Sequence, residues 1–278
     1  MGIIKIENNL QYLTEEEVQE ACPVAFAQAP TSSKVSEQYN FINSATIMQD
    51  LKKLGWLPVK ALQRKAKPGI DSIFSKHMII FEHPEMLIAG ENGDNAKVRI
   101  VLTNSHDGLQ AFRFNLGVFR EVCENGLIFH SKSDPQFAGF KILHKGYTFA
   151  ELRKNINEVV EDLPKKVDVL NDLYERNLTE QEKFDFALKG LLIREGISEG
   201  EAGFTKESIE NLLEPNRDFD KGDSLWKVFN TVQENLIKGG REVTKEGKKP
   251  RKLRPIKGFE RDLDINKKLF EQVLEFVN

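Results

Sequence analysis

The chain has 278 residues, 40% of them apolar and 30% charged, with a net charge of -3. That length and apolar content suffice for a globular protein with a real core, and a balance so close to neutral excludes a uniformly basic coat for nucleic acid. Two cysteines, Cys22 and Cys123, with no CxxC pair exclude a disulfide scaffold and a cysteine-rich zinc site, so a reducing cytoplasm is the expected location.

In chain order, Met1 to Leu10 lacks the basic and apolar regions of a signal peptide, and no run reaches the roughly 18 apolar residues of a membrane span, so no membrane partner is expected. Thr14 and Glu17 form a capping box, but Pro23 and Pro30 interrupt the helix it would open, and residues 1–36 read as an irregular arm. Ile47, Met48, Leu51 and Leu54 recur at helical spacing and predict a helix from Ser44 to Leu54, stopped by Gly55 before an extended Trp56 to Gln63. Strands are then expected at His77 to Phe81, Val98 to Thr103, Ala111 to Leu116, Leu127 to Ser131 and Gly139 to Leu143, separated by Gly, Asn, Asp and Pro clusters. Val118 to Glu124 reads as a short helical segment ended by Asn125 and Gly126.

From Phe149 to Tyr174 apolar residues at threes and fours predict one long helix that tolerates Pro164 as a kink. A capping box at Thr179 and Glu182 opens Glu180 to Arg194, and further helices fit Lys206 to Leu213, Ser224 to Ile237 and Ile265 to Phe276. The expected fold class is α+β: a mixed β-sheet region with short helices over residues 37–146, then an all-helical region over 147–278 that carries a basic loop at 238–257.

All five histidines, His77, His83, His106, His130 and His144, fall between residues 77 and 144. In the same stretch Asn104, Ser105, His106, Asp107, Gly108, Arg113, Arg120, Cys123, Asn125 and Gly126 stand in an apolar frame. These residue types build polar sites, and they also build Asx turns and left-handed backbone. A metal-dependent nuclease or other phosphoryl-transfer enzyme would need His106 and Asp107 to converge with His77, His130 or His144 around a divalent metal, and only a turn brings neighbours 106 and 107 together. Cys123, between Val122 and Glu124, has the setting of a small buried residue rather than of a nucleophile. No GxSxG, Walker or GxGxxG motif occurs, so the preferred reading has no enzymatic activity and no cofactor. Arg113 and Arg120 stand among Phe112, Phe114 and Phe119, where a guanidinium can take a phosphate or close a structural ion pair.

The clearest charge feature lies at residues 238–257, where Lys238, Arg241, Lys245, Lys248, Lys249, Arg251, Lys252, Arg254 and Lys257 face only Glu242 and Glu246. The segment carries +7, leaving -10 on the rest of the chain. Its glycines and prolines suggest a mobile loop, and flexible basic segments bind polyphosphate backbones by releasing counterions. Without aromatics in the loop, base stacking would have to come from Trp226, Tyr39 or Tyr147.

The order Tyr39-Asn40-Phe41-Ile42, Gly55-Trp56, His77, LTNSHDG from Leu102 to Gly108, GVFREVCENG from Gly117 to Gly126, and His144 resembles a phage/plasmid-like family of mobile-element proteins, the YafZ-like group. NLLEP from Asn211, the segment from Trp226 to Asn230, VQENLIKGG from Val232 and Ile265-Asn266 continue the likeness. The resemblance marks Asn104, Ser105, His106, Asp107, Gly108, Cys123, Asn125, Gly126 and His144 as motif residues. It implies a phage, prophage or plasmid setting and a role on DNA, with no molecular activity assigned. The expectation is a non-enzymatic nucleic-acid-binding protein acting in DNA replication, recombination or protection. Its partner is DNA, single- or double-stranded, contacted through Arg113, Arg120 and the basic residues from Lys245 to Lys257. A host protein is the alternative partner, through the acidic arm around Glu15, Glu16, Glu17 and Glu20, and oligomerisation is left open.

Overall fold

The structure is a computed structural model that describes residues 2–4, 12–28, 41, 43–65, 72–90, 93–107, 112–121, 126–130, 139–143, 147–198, 200 and 203–277. The chain divides into two units, one of residues 2–122 and 132–164 and one of residues 123–131 and 165–278. Antiparallel strands dominate the first half and helices the second, so the α+β class read from the sequence holds.

The first unit contains β1 (Gly2–Ile4), α1 (Glu15–Ala21), α2 (Ser44–Lys53), β2 (Leu57–Gln63), β3 (His77–Ala89), β4 (Ala96–Asn104) and β5 (Phe112–Arg120). After β6 (Gly126–Ile128), which belongs to the second unit, the first unit resumes with β7 (Phe140–Ile142) and α3 (Phe149–Glu161). The long strand β3 is the axis of the sheet: β2 pairs with its first half, β1 with its last three residues, and β4 with its other edge. Pro84 falls where the β3–β4 register shifts between Glu82 and Leu87, the place in a strand where a missing N–H costs no ladder bond. β4 pairs with β5 and β5 with β7, all antiparallel.

The register puts Ile79 and Phe81 of β3, Ile100 and Leu102 of β4, and Phe114 and Leu116 of β5 on one face, and all are buried. Helix α2 adds the buried Ile47, Met48 and Leu51. It ends in a Schellman turn, with the Gly55 amide donating to Lys52 and the Trp56 amide to Leu51, both at 3.0 Å. Gly55 sits at φ +85, and a Cβ there would lie 2.5 Å from His83 Nε2.

The second unit contains α4 (Leu163–Glu175) from Lys165 onward, α5 (Glu180–Glu195), α6 (Lys206–Leu213), α7 (Leu225–Ile237), β8 (Glu242–Val243), β9 (Arg251–Lys252) and α8 (Phe259–Val277). Helix α7 is its axis, buried on all sides from Leu225 to Leu236 except at Lys227. Gly190 of α5 lets α7 and α8 come close, since a Cβ there would already touch Leu236, Val232 and Leu269 at 3.0 to 3.4 Å. Phe186 meets Phe229 and Phe276 edge-on, and Phe129 meets Phe270 in the same way.

Several expectations are corrected. Within the stretch read as an irregular arm, Thr14 caps a real helix, a 3-10 turn starts at Pro23, and Val18, Cys22, Val24 and Ala25 are buried. Val118 to Arg120 is strand, not helix, because those residues pair with Val98 to Ala96 of β4; Cys123 and Asn125 lie outside the described residues. The helix expected from Phe149 to Tyr174 is two helices that part at Asp162, because Pro164, with fixed φ and no N–H, fits the first turn of a new helix better than the interior of an old one. Helix α8 starts at Phe259, six residues before the expected Ile265.

Candidate functional site

The basic segment at 238–257 is a pinned β-hairpin rather than a mobile loop. Glu242 pairs with Lys252 and Val243 with Arg251, while Val243 and Leu253 are buried beneath the ribbon. The Leu253 amide donates to Arg241 O and the Gly240 amide to Leu253 O, each at 2.8 Å, and the Ile256 amide donates to Ile237 O at the end of α7. The tip is held from the start of α6: the Thr205 amide donates to Thr244 O at 3.0 Å, and the Glu246 amide to Gly203 O at 2.7 Å. Arg194 of α5, almost wholly buried, donates to Arg254 O at 2.6 Å and also to Leu236 O.

These anchors sort the nine cations into two groups. Lys238 bonds Glu234 at 2.9 Å, Arg241 bonds Glu214 at 2.7 Å, Arg251 bonds Glu195 at 2.6 Å, and Lys245 lies 4.8 Å over the Phe204 ring. Lys248, Lys249, Lys252, Arg254 and Lys257 are exposed, and none has a carboxylate within 4.0 Å among the described residues. Lys252 and Arg254 flank the buried Leu253, so strand alternation sends both away from the core. The face therefore presents cations on a backbone that pairing and burial hold in place.

Beneath this ribbon Glu234 anchors the charge lattice of the second unit. Its carboxylate takes both guanidinium nitrogens of Arg217, at 2.6 Å for Nη2, and the ammonium of Lys238. Burial by itself would push this carboxyl upward, but the bonds from Arg217 and Lys238 outweigh it and hold it at about 2.

The motif residues of the first unit form a different kind of cluster. The Ser44 hydroxyl lies 2.6 Å from His77 Nε2, His77 Nδ1 lies 3.2 Å from Ser75 O, and Asn104 Nδ2 donates to Ser44 Oγ at 3.2 Å. One tautomer satisfies all three contacts: Nδ1–H donates to Ser75 O while Nε2 accepts the serine proton. The His106 ring lies 5.2 Å from that of His77 and 4.8 Å from that of Phe41, with Nε2 at 3.0 Å from Val24 O. Ser105 donates to Asp107 at 2.7 Å. Ser44, His77, Asn104, Ser105 and His106 are all buried, and burial pushes the neighbouring Cys22 thiol up to about 12, far from a reactive thiolate.

A serine held 2.6 Å from an imidazole has the local geometry of an activated nucleophile, but its place at the first turn of α2 under the sheet makes it a tie between α2, β3 and β4. Sequence reading placed Ser44 merely at a helix start; only its pairing in space with His77 and Asn104 shows what it does. Among the described residues no group of three or more His, Cys, Asp and Glu can hold a metal ion, and His130 lies 3.8 Å from Glu271 in the second unit. Gly108, Cys123, Asn125 and His144 lie outside the described residues, and Gly126 opens β6, where its carbonyl accepts Gln233 Nε2 at 2.6 Å.

Arg113 and Arg120 separate. Arg120 is 1% exposed and its Nε donates to Asp94 at 2.7 Å, so the guanidinium read as a phosphate contact is enclosed in the sheet's ion pair. Arg113 is exposed on β5, directly opposite Thr103 of β4 and Lys141 of β7. Two of the aromatic side chains named for stacking are engaged elsewhere, Trp226 buried against Tyr174 and Tyr147 donating to Asp50; Tyr39 lies outside the described residues.

The chain is 28% identical to the UPF0380 protein YfjQ of Escherichia coli (strain K12) over 261 residues, covering 93% of this chain and 89% of that protein. It is 27% identical to the UPF0380 protein YafZ of the same strain, with the same coverage. No solved structure matches. The model of a domain of unknown function, DUF932, matches residues 32–270, which takes in α2, the sheet from β2 to β7, Ser44, His77 and Asn104, and the whole basic hairpin, and the chain belongs to that family.

Proposed function

We propose that this protein binds nucleic acid without enzymatic turnover and, in keeping with its phage- and plasmid-like resemblance, acts in the replication, recombination or protection of DNA. The observation that carries the reading is the hairpin, whose five exposed cations have no carboxylate partner among the described residues and stand on a pinned ribbon. Cations spent on surface ion pairs contribute little to a polyanion site; cations left open release counterions when they meet phosphates. A two-stranded ribbon is also an element that fits a duplex groove.

Fluorescence anisotropy of labelled single- and double-stranded DNA over a salt series tests this. Binding should weaken with salt along a log-log slope of about -3.5 for five contacts to a single strand, and about -4.5 to a duplex. Replacing Lys248, Lys249, Lys252 and Arg254 together by alanine should abolish binding while leaving the thermal transition in place. Absence of binding at low salt, or equal binding by the alanine variant, overturns the reading. Cleavage of the recovered DNA that depends on added divalent metal would make the protein a nuclease instead.

A further inference from the structure

We infer a second anion site, where β4, β5 and β7 lie side by side in the first unit, built from Arg113, Lys141 and Thr103 and suited to a phosphate group. Arg113 of β5 and Lys141 of β7 stand directly opposite in register, so their side chains leave the same face with Cβ atoms about 5 Å apart. Both are exposed, and neither has a carboxylate partner among the described residues; Asp107, the acid nearest in sequence before β5, accepts Ser105. Like charges directly opposite in a sheet are destabilising, and an anion between them removes the repulsion.

The row continues on the other side, where Thr103 of β4 lies opposite Arg113 and adds a hydroxyl donor in line with the guanidinium and the ammonium. Asn115 shares this face two residues along β5; it is 4% exposed, and its Nδ2 has no hydrogen-bond acceptor among the described residues. The opposite face of the same strands is closed by Phe112, Phe114 and Ile142, and on this face Met78, Val101 and Asn115 are buried as well, so Arg113 and Lys141 are the members of the row that reach solvent. Gly139 brings β7 close: a Cβ there would lie 2.2 Å from Phe114 O and 3.0 Å from Asn115 Oδ1. A guanidinium and an ammonium side by side with a hydroxyl in the same row, and no carboxylate paired with either cation among the described residues, match a tetrahedral oxyanion such as phosphate.

The site shares no residue with the hairpin, so it can fail or succeed separately. Thermal unfolding of the full chain is compared in sodium pyrophosphate and in sodium chloride of equal ionic strength. The wild type should gain at least ~2 °C in pyrophosphate, Arg113→Gln and Lys141→Gln should lose the gain, and the alanine hairpin variant should keep it. Without pyrophosphate both glutamine variants should unfold no earlier than the wild type, because each relieves the repulsion, so loss of folding does not mimic loss of binding. No gain in the wild type, or an equal gain in Lys141→Gln, overturns the site. Given the pyrophosphate gain, weaker duplex binding by Lys141→Gln in anisotropy identifies the phosphate as nucleic-acid backbone, and unchanged duplex binding identifies it as a free phosphate compound.

Discussion

Ser44, His77 and Asn104 show how much of a polar motif can be architecture. Each donor in the triad meets an acceptor, and each residue is buried, so removing one member leaves the others short of a partner in a low-dielectric interior. Ser44→Ala should cost about 1–3 kcal/mol in urea unfolding, and a loss below about 0.5 kcal/mol would show that the network adds little. Arg120→Ala leaves Asp94 buried without its guanidinium and should cost about 3–5 kcal/mol, with no loss of DNA affinity in the protein that remains folded. Glu234 supplies the pH dependence. Its folded value of about 2 lies below the ordinary 4.5, so its contribution is fully present above pH 4.5 and is lost as pH falls from there towards 2. That contribution is on the order of 2–3 kcal/mol, and Glu234→Gln should flatten the acid limb of a stability profile between those values.

At the scale of the element, the hairpin depends on a few backbone positions. Gly239 sits at φ +71, and a Cβ there would lie 2.5 Å from Leu253 O, the carbonyl that accepts the Gly240 amide. Gly239→Ala should therefore loosen the ribbon where it leaves α7, costing about 1–3 kcal/mol and weakening DNA binding without removing a charge; unchanged binding would mean that pinning does not matter to affinity. The same local features decide which elements are legible in the chain. Helices α2, α5, α6 and α7 match their expected ends within a residue or so because capping side chains at Asn43, Thr179, Thr205 and Ser224 mark their starts. Val118 to Arg120 reads wrongly as helix because a short apolar run suits helix and strand alike, and only pairing with β4 decides between them.

For the whole molecule the distribution of charge matters more than its sum. A net -3 conceals +7 within twenty residues against -10 elsewhere, and steering of a polyanion would come from the segment against the field of the rest. Glu242 lies opposite Lys252 on the ribbon, so Glu242→Gln should strengthen DNA binding at low salt, an effect that fades as salt screens it; weaker binding would contradict a phosphate-facing ribbon.

Composition and periodicity by themselves determined the α+β class, the helices whose starts carry caps, and the basic segment, because hydrophobic spacing, caps and local charge are properties of neighbours along the chain. Only the tertiary structure decided which charges are open. Arg113 and Arg120 look alike among their phenylalanines, yet strand alternation sends one to solvent and the other to Asp94. The same held for the hairpin, where Arg241, Lys245 and Arg251 meet carboxylates or a ring from distant segments. It held again for Lys141, which became notable once register set it beside Arg113. Ion pairing and exposure depend on residues far apart in sequence, and they exist only once the chain has folded.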